Sequence, residues 1–208
     1  MKKLVYQFRI TLNVVEPPVW RVIQVPAEYT FWDLHVAIQD AMGWLDYHLH
    51  EFRSDKKHSS SNIRIGIPMS EEFDTPSEPL VGWDVELENF FHLPGDKMYY
   101  EYDFGDGWLH EVLLEGILLR EKGVKYPGCI AGAQSAPPED CGGPGGYYNL
   151  LEILADPYHE EYKETVAWLR HHAKNYLPFK PDSFCIESIK FSSPRRRWNS
   201  AFGNKRQG

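Results

Sequence analysis

Hydrophobic and polar positions alternate cleanly near the start of the chain. Tyr6, Phe8, Ile10, Leu12 and Val14 are interleaved with Gln7, Arg9, Thr11 and Asn13. A period of two predicts a half-buried β-strand. Glu16-Pro17-Pro18 interrupts it, and the strand pattern resumes from Val19 to Val25, closed by Pro26. The short gap predicts that the two strands pair antiparallel. The spacing then becomes helical, with Phe31, Leu34, Ile38 and Met42 on one face. Thr30 and Asp33 form a capping-box variant before it, and Gly43 is a natural stop.

Residues 48–53 read as a strand. Residues 54–80 form a polar excursion rich in Ser, Pro and acid, with a short strand near 63–67. Alternation returns over 98–104 and 108–119. Between them Asp106-Gly107 is a two-residue hairpin signal, since a type I′ turn needs positive φ at both central positions. In that register Gly105 pairs with Trp108, Phe104 with Leu109 and Asp103 with His110, and a carboxylate faces an imidazole.

The Pro and Gly content of residues 126–146 predicts an irregular loop. Residues 147–155 predict a short helix. Asp156-Pro157 opens another, with Tyr158, Tyr162, Val166 and Leu169 as its buried stripe. Strands and helices do not alternate regularly. That predicts an α+β fold, a mainly antiparallel β-sheet with several packed helices. One domain is expected over residues 4–180, followed by a C-terminal basic extension over 181–208.

Composition narrows the class. Of 208 residues, 42% are hydrophobic and 14% aromatic, which excludes a largely disordered chain. The net charge of −8 argues against a nucleic-acid binder dominated by phosphate contacts. The charge is uneven, however: acids dominate from Glu71 to Glu101, and only bases follow Lys190. Cys129, Cys141 and Cys185 form no CxxC pair, so neither a zinc knuckle nor a disulfide framework is expected. Reduced cysteines fit a cytoplasmic protein. No apolar run has the length of a signal peptide or membrane span, so no membrane partner is expected.

Three stretches carry a resemblance together. They are Met42-Gly43-Trp44 with His48-Leu49-His50-Glu51-Phe52; Tyr102-Asp103-Phe104-Gly105-Asp106-Gly107-Trp108-Leu109-His110-Glu111; and Pro137-Pro138-Glu139-Asp140-Cys141-Gly142-Gly143 with Gly146-Tyr147. With Pro18-Val19-Trp20-Arg21 they resemble the family named after ORF-3 of plasmid pRiA4b, from about Tyr6 to Trp168. The tail Phe191-Ser192-Ser193-Pro194-Arg195-Arg196-Arg197-Trp198 is similar to an ending found in part of that family. Some members are labelled transposon passenger or resolvase-like proteins, although no serine-recombinase pattern is present here. The resemblance implies a fold and a set of important residues, and leaves the function open.

Two function classes follow. In the first, Trp20, Arg21, Trp44, Phe52 and Trp108 line a surface for a peptide or nucleic acid, with Arg195, Arg196 and Arg197 gripping phosphate. A mobile-element role fits that class. The alternative is a metal-assisted hydrolase. His48 and His50, two apart on a strand, project from one face and with Asp106 suit a divalent metal. Asp103, His110, Glu139 and Asp140 are then the acid–base candidates. Each feature also has a plainer reading. A histidine beside a carboxylate is often only a hydrogen-bonded pair, and Asp-Phe-Gly-Asp-Gly can be a hairpin tip whose acids cap turn amides. Cys141 in its Gly-rich loop is a further candidate nucleophile, and the loop amides could cradle an anion.

Overall fold

The computed structural model describes residues 3–54, 63–68 and 79–203. β1 (Leu4–Leu12) and β2 (Val19–Pro26) pair antiparallel, as the alternation predicts, with Phe8 opposite Ile23. Six further strands extend the sheet: β3 (His50–Ser54), β4 (Arg64–Gly66), β5 (Leu80–Val81), β6 (Lys97–Tyr102), β7 (Trp108–Leu119) and β8 (Gly128–Ala133). Their order is β5-β4-β3-β6-β7-β1-β2-β8. Every pairing is antiparallel except β4 with β5. The fold is therefore α+β. Most of the polar excursion expected across 54–80 lies outside the described residues; β4 falls where its short strand was expected.

The core lies between one sheet face and α1 (Phe31–Met42). Phe8, Ile10, Leu12, Phe52, Tyr100, Trp108 and Val112 on the strands meet Phe31, Leu34 and Ile38 on the helix, all almost fully buried. Each such side chain contributes about 1.5–3 kcal/mol on burial. Thr30 Oγ1 accepts from Asp33 N and Asp33 Oδ2 accepts from Thr30 N, closing the capping box. Gly43 ends the helix at φ 77°. The opposite sheet face carries a polar ladder in which Gln24 bonds Gln7, and Gln7 and Arg9 both bond Glu115.

Three local expectations are corrected. The β6–β7 register places Tyr102 opposite Trp108 and Tyr100 opposite His110, so Asp103 does not face His110. The connection is wider because Asp103 Oδ1 accepts from Gly105 N at 3.0 Å and Asp106 N at 3.3 Å. Those side-chain bonds favour an Asx-type turn over the two-residue alternative.

Residues 126–146 are not wholly irregular, since β8 lies inside them and pairs with β2. Its glycine has a packing reason: a Cβ on Gly132 would lie 2.6 Å from the Phe184 ring and 2.9 Å from Trp20 O. α2 (Gly143–Ala155) likewise starts inside the glycine run. A Cβ on Gly146 would lie 1.9 Å from Cys141 O.

The next helix, α3, spans Tyr162–His171 and does not begin at Asp156-Pro157. Asp156 instead caps α2, and its Oδ1 accepts from Tyr158 N at 2.9 Å. Tyr158 is 96% exposed, while Leu169 of the expected stripe is buried. The final described helix, α4 (Pro194–Phe202), packs on α1.

Candidate metal centre

Three loops at one end of the sheet converge on a small polar cluster. The first follows α1. Trp44 Nε1 donates to Pro137 O at 2.9 Å, Leu45 N to Glu139 Oε2 at 2.7 Å and Tyr47 N to Tyr102 OH at 3.0 Å. These bonds strap residues 44–47 down and deliver His48. The second loop is the β6–β7 turn carrying Asp103. The third is the stretch from Pro137 to Cys141, which carries Asp140. Glu139 ties all three together, because it also accepts from Tyr102 OH at the end of β6. Its own backbone N–H donates to Tyr176 OH at 3.0 Å.

His48 Nε2 lies 2.7 Å from Asp140 Oδ1 and 3.5 Å from Asp103 Oδ2. Among the described residues, this is the one place where three His, Cys, Asp or Glu donor atoms fall within 4.8 Å of one another. Ligand atoms around one ion at about 2.0–2.2 Å sit roughly 3 Å apart, so the spacing fits a shared cation. The side chains are 31%, 12% and 47% exposed for His48, Asp103 and Asp140, which leaves the cluster open to water. Asp103 and Asp140 both hold left-handed backbone, at φ 55° and 61°. Aspartate tolerates this region better than most residues, and such backbone tends to gather at functional sites.

The sequence reading missed His172. It follows α3, and its Nε2 lies 3.8 Å from Asp140 Oδ2. Its Nδ1 accepts from Lys174 N at 3.4 Å. The only sequence signal was its i,i+4 spacing from Trp168, which it meets edge-on at 5.7 Å. A cleft of about 340 Å³ between α2 and α3 adjoins the cluster, with Asp140, Asn149, Glu164 and Trp168 in its wall.

The other candidate residues fall elsewhere. His48 precedes β3, and His50 is buried within it, its ring stacked on His35. The two histidines therefore do not project together from one strand. Asp106 packs its backbone on Gly143, where an added Cβ would come within 2.5 Å of its carbonyl oxygen. His110 is fully buried and its Nδ1 lies 3.3 Å from Tyr100 O; burial pushes its pKa down to about 4. Burial, followed by the neighbouring Asp106 charge, pushes the Cys141 thiol up to about 12, which removes it as a thiolate nucleophile.

Nor do the aromatics form a surface. Trp44, Phe52 and Trp108 belong to the core, and Trp20 lies partly covered beneath the Arg9 guanidinium. Arg21 is 3% exposed and donates to the Ala41, Trp20, Ala133 and Gln134 carbonyls. Arg197 is bound to Asp40 and Asp46, while Arg195 and Arg196 are exposed.

A mainly antiparallel sheet in an α+β fold, with a His–Asp–Asp cluster at its loop end, defines the class. Within that class, the chain belongs to the plasmid pRiA4b ORF-3-like protein family, whose model matches residues 4–188. It is 38% identical over 165 residues to the uncharacterized protein y4hQ of Sinorhizobium fredii (strain NBRC 101917 / NGR234), covering 79% of this chain and 80% of that one. It is also similar to the crystal structure of MM3350, a protein of unknown function from Methanosarcina mazei Go1. There the identity is 40% and the TM-score 0.78, over 92% of this chain and 100% of that one. No helix among the described residues is long and apolar enough to cross a membrane.

Proposed function

We propose that this chain binds a divalent metal through His48, Asp103 and Asp140 and acts as a metal-assisted hydrolase on a substrate held in the α2–α3 cleft. The observation that carries this reading is the convergence of the three donors from three separate loops. One imidazole with two carboxylates suits zinc, manganese or ferrous iron. Three protein donors leave room for water, and a bound metal lowers the pKa of such a water toward neutrality. His172 Nε2, 3.8 Å from Asp140 Oδ2, borders the donor set from outside. The burial of Trp44, Phe52 and Trp108 weighs against a binding surface built on aromatics.

Chelator-treated protein titrated with zinc, manganese and cobalt, followed by calorimetry and elemental analysis, tests the metal. Near-stoichiometric binding is expected, weakened at least about tenfold in Asp140→Asn with the fold retained by circular dichroism. Folded protein that takes up no metal, or a variant that binds as the parent does, overturns the reading. Turnover of p-nitrophenyl esters and phosphodiesters by the loaded protein tests hydrolysis separately. A rate no greater than that of free metal rejects that half alone.

A further inference from the structure

We propose that a second cavity, of about 660 Å³, between the C-terminal end of α1 and the segment 174–189 is a binding site for a small planar organic anion, an aryl carboxylate or aryl phosphate. Its volume lies within the range of ligand pockets, roughly 300–1,000 Å³. It is separate from the His48 cluster, none of whose residues line it.

The charge of the wall carries the argument. Arg21 and Lys174 both line the cavity. Four of the Arg21 N–H groups are held by main-chain carbonyls, which fix the guanidinium in place and neutralise none of its charge. The Lys174 amine rests on Gly43 O, also a carbonyl. Among the described residues, no carboxylate forms an ion pair with either cation. The acid in the wall, Asp40, is already committed to Arg197 at 2.6 Å and to Ser192. Glu139 acts on Lys174 only at longer range, and its carboxylate is taken by Tyr102 and Leu45.

Arg21 and Lys174, both seated on main-chain carbonyls, thus share the concavity with Lys180, and among the described residues no carboxylate pairs with any of the three. Burial lowers Arg21 to about 10. Burial also lowers Lys174, with Glu139 opposing and Arg21 reinforcing the shift. An anion would relieve that cost for the buried Arg21, while the exposed Lys174 adds its charge at the rim. The whole chain carries −8, so a cationic recess stands out against its surroundings and selects for negative ligands.

The planar body follows from the rings. Tyr176, Phe179 and Phe184 line the same cavity, and the Arg21 guanidinium lies 4.3 Å over the Phe184 ring centroid. Flat apolar walls beside fixed positive charge match a ring bearing one acidic group.

The probes are 1-naphthoate and 1-naphthyl phosphate, with 1-naphthalenemethanol and 1-naphthol as their neutral counterparts. They are titrated by calorimetry into metal-free protein, and the contacts are mapped by amide shifts. Each anion is expected to bind at least about tenfold tighter than its neutral partner, with affinity falling as salt rises. Shifts should fall on residues 41–44, 135–137 and 174–189. Binding of naphthoate alone identifies carboxylates as the ligands, and binding of naphthyl phosphate alone identifies phosphates. Lys174→Ala should weaken binding about tenfold. Because Lys174 also caps α1, Lys180→Glu serves as the second variant; Lys180 lines the cavity and is exposed, and reversing its charge should weaken the anions without changing unfolding. Neutral partners that bind equally well, no binding of either anion below about 10 mM, or shifts confined to other surfaces would overturn the proposal.

Discussion

The imidazole rings of His35 on α1 and His50 on β3 lie parallel, 3.5 Å between centroids and 8° between planes, both buried. His35 is tied at both nitrogens, to Tyr100 OH and to Asp46 Oδ1, each at 2.8 Å. His50 has no such ties: its Nδ1 is buried without a partner. Burial, with His35 against its face, holds His50 well below the usual histidine range. His110 is held down too, to about 4. Both are therefore neutral in the folded protein near neutral pH.

This gives the fold a definite response to acid. Below pH about 6.5 the unfolded chain takes up protons on these histidines that the folded chain refuses. The unfolded state then binds more protons, so stability falls as pH drops. For His110 the window runs from about 6.5 down to about 4. Each such histidine contributes a slope of up to roughly 1.4 kcal/mol per pH unit there. Urea melts across this window should show the loss, and His110→Gln should flatten it. An unchanged slope in that variant would assign the acid sensitivity to other groups.

The glycines beside the cluster set its shape. Gly146→Ala would drive a Cβ to 1.9 Å from Cys141 O, and Gly143→Ala to 2.5 Å from Asp106 O at a φ of 68°. In both cases the obstacle is backbone, which cannot swing aside. Each substitution should cost about 1–3 kcal/mol, as overpacking does. Because the displaced loops carry Asp140 and Asp103, metal affinity should fall with stability. Gly145→Ala, with nothing within 4 Å of the new Cβ, is the control and should leave both unchanged.

Tyr102→Phe tests the strapping of the loops. Its hydroxyl donates to buried Glu139 and accepts from Tyr47 N. Removing it leaves buried Glu139 and the Tyr47 N–H short of a partner, at about 1–3 kcal/mol. The change touches no proposed metal donor. It should nevertheless weaken metal binding, because Glu139 adjoins Asp140 and Tyr47 adjoins His48. Lower stability with unchanged metal affinity would show that the donors hold their places without this brace.

Much of the fold was legible because one face of the sheet is dry. Alternation in Tyr6–Leu12 and helical spacing in Phe31–Met42 report that burial directly, and Thr30, Asp33 and Gly43 mark the helix ends by local chemistry. The turn at Asp103 was misread because its side chain, rather than backbone preference, closes it. β8 was hidden because its Gly132 answers to Phe184, far along the chain. The cluster was half legible: His48, Asp103 and Asp140 stood among the candidates, but no periodicity relates three loops. His50 looked equivalent to His48 only on the assumption that both lie in one strand.

The three adjacent arginines of α4 should behave differently despite their shared charge. Arg197 lies against Asp40 and Asp46, whose side chains are 7% and 11% exposed. Burial alone would raise the Asp46 carboxyl, but His35 and Arg197 outweigh it and hold it below the ordinary range. Arg197→Ala leaves two largely buried carboxylates short of their cation and should cost roughly 3 kcal/mol. Arg195→Ala and Arg196→Ala remove exposed charges and should each stay within about 0.5 kcal/mol. Chemical denaturation of the three variants separates these outcomes. Three equal small losses would mean that α4 contributes nothing through Arg197 to the anchoring of α1. A large loss confined to Arg197 would leave Arg195 and Arg196 as the two arginines of the cluster free to meet phosphate. Nucleic-acid binding through this helix would then lose its salt dependence in the Arg195→Ala/Arg196→Ala double variant while stability holds.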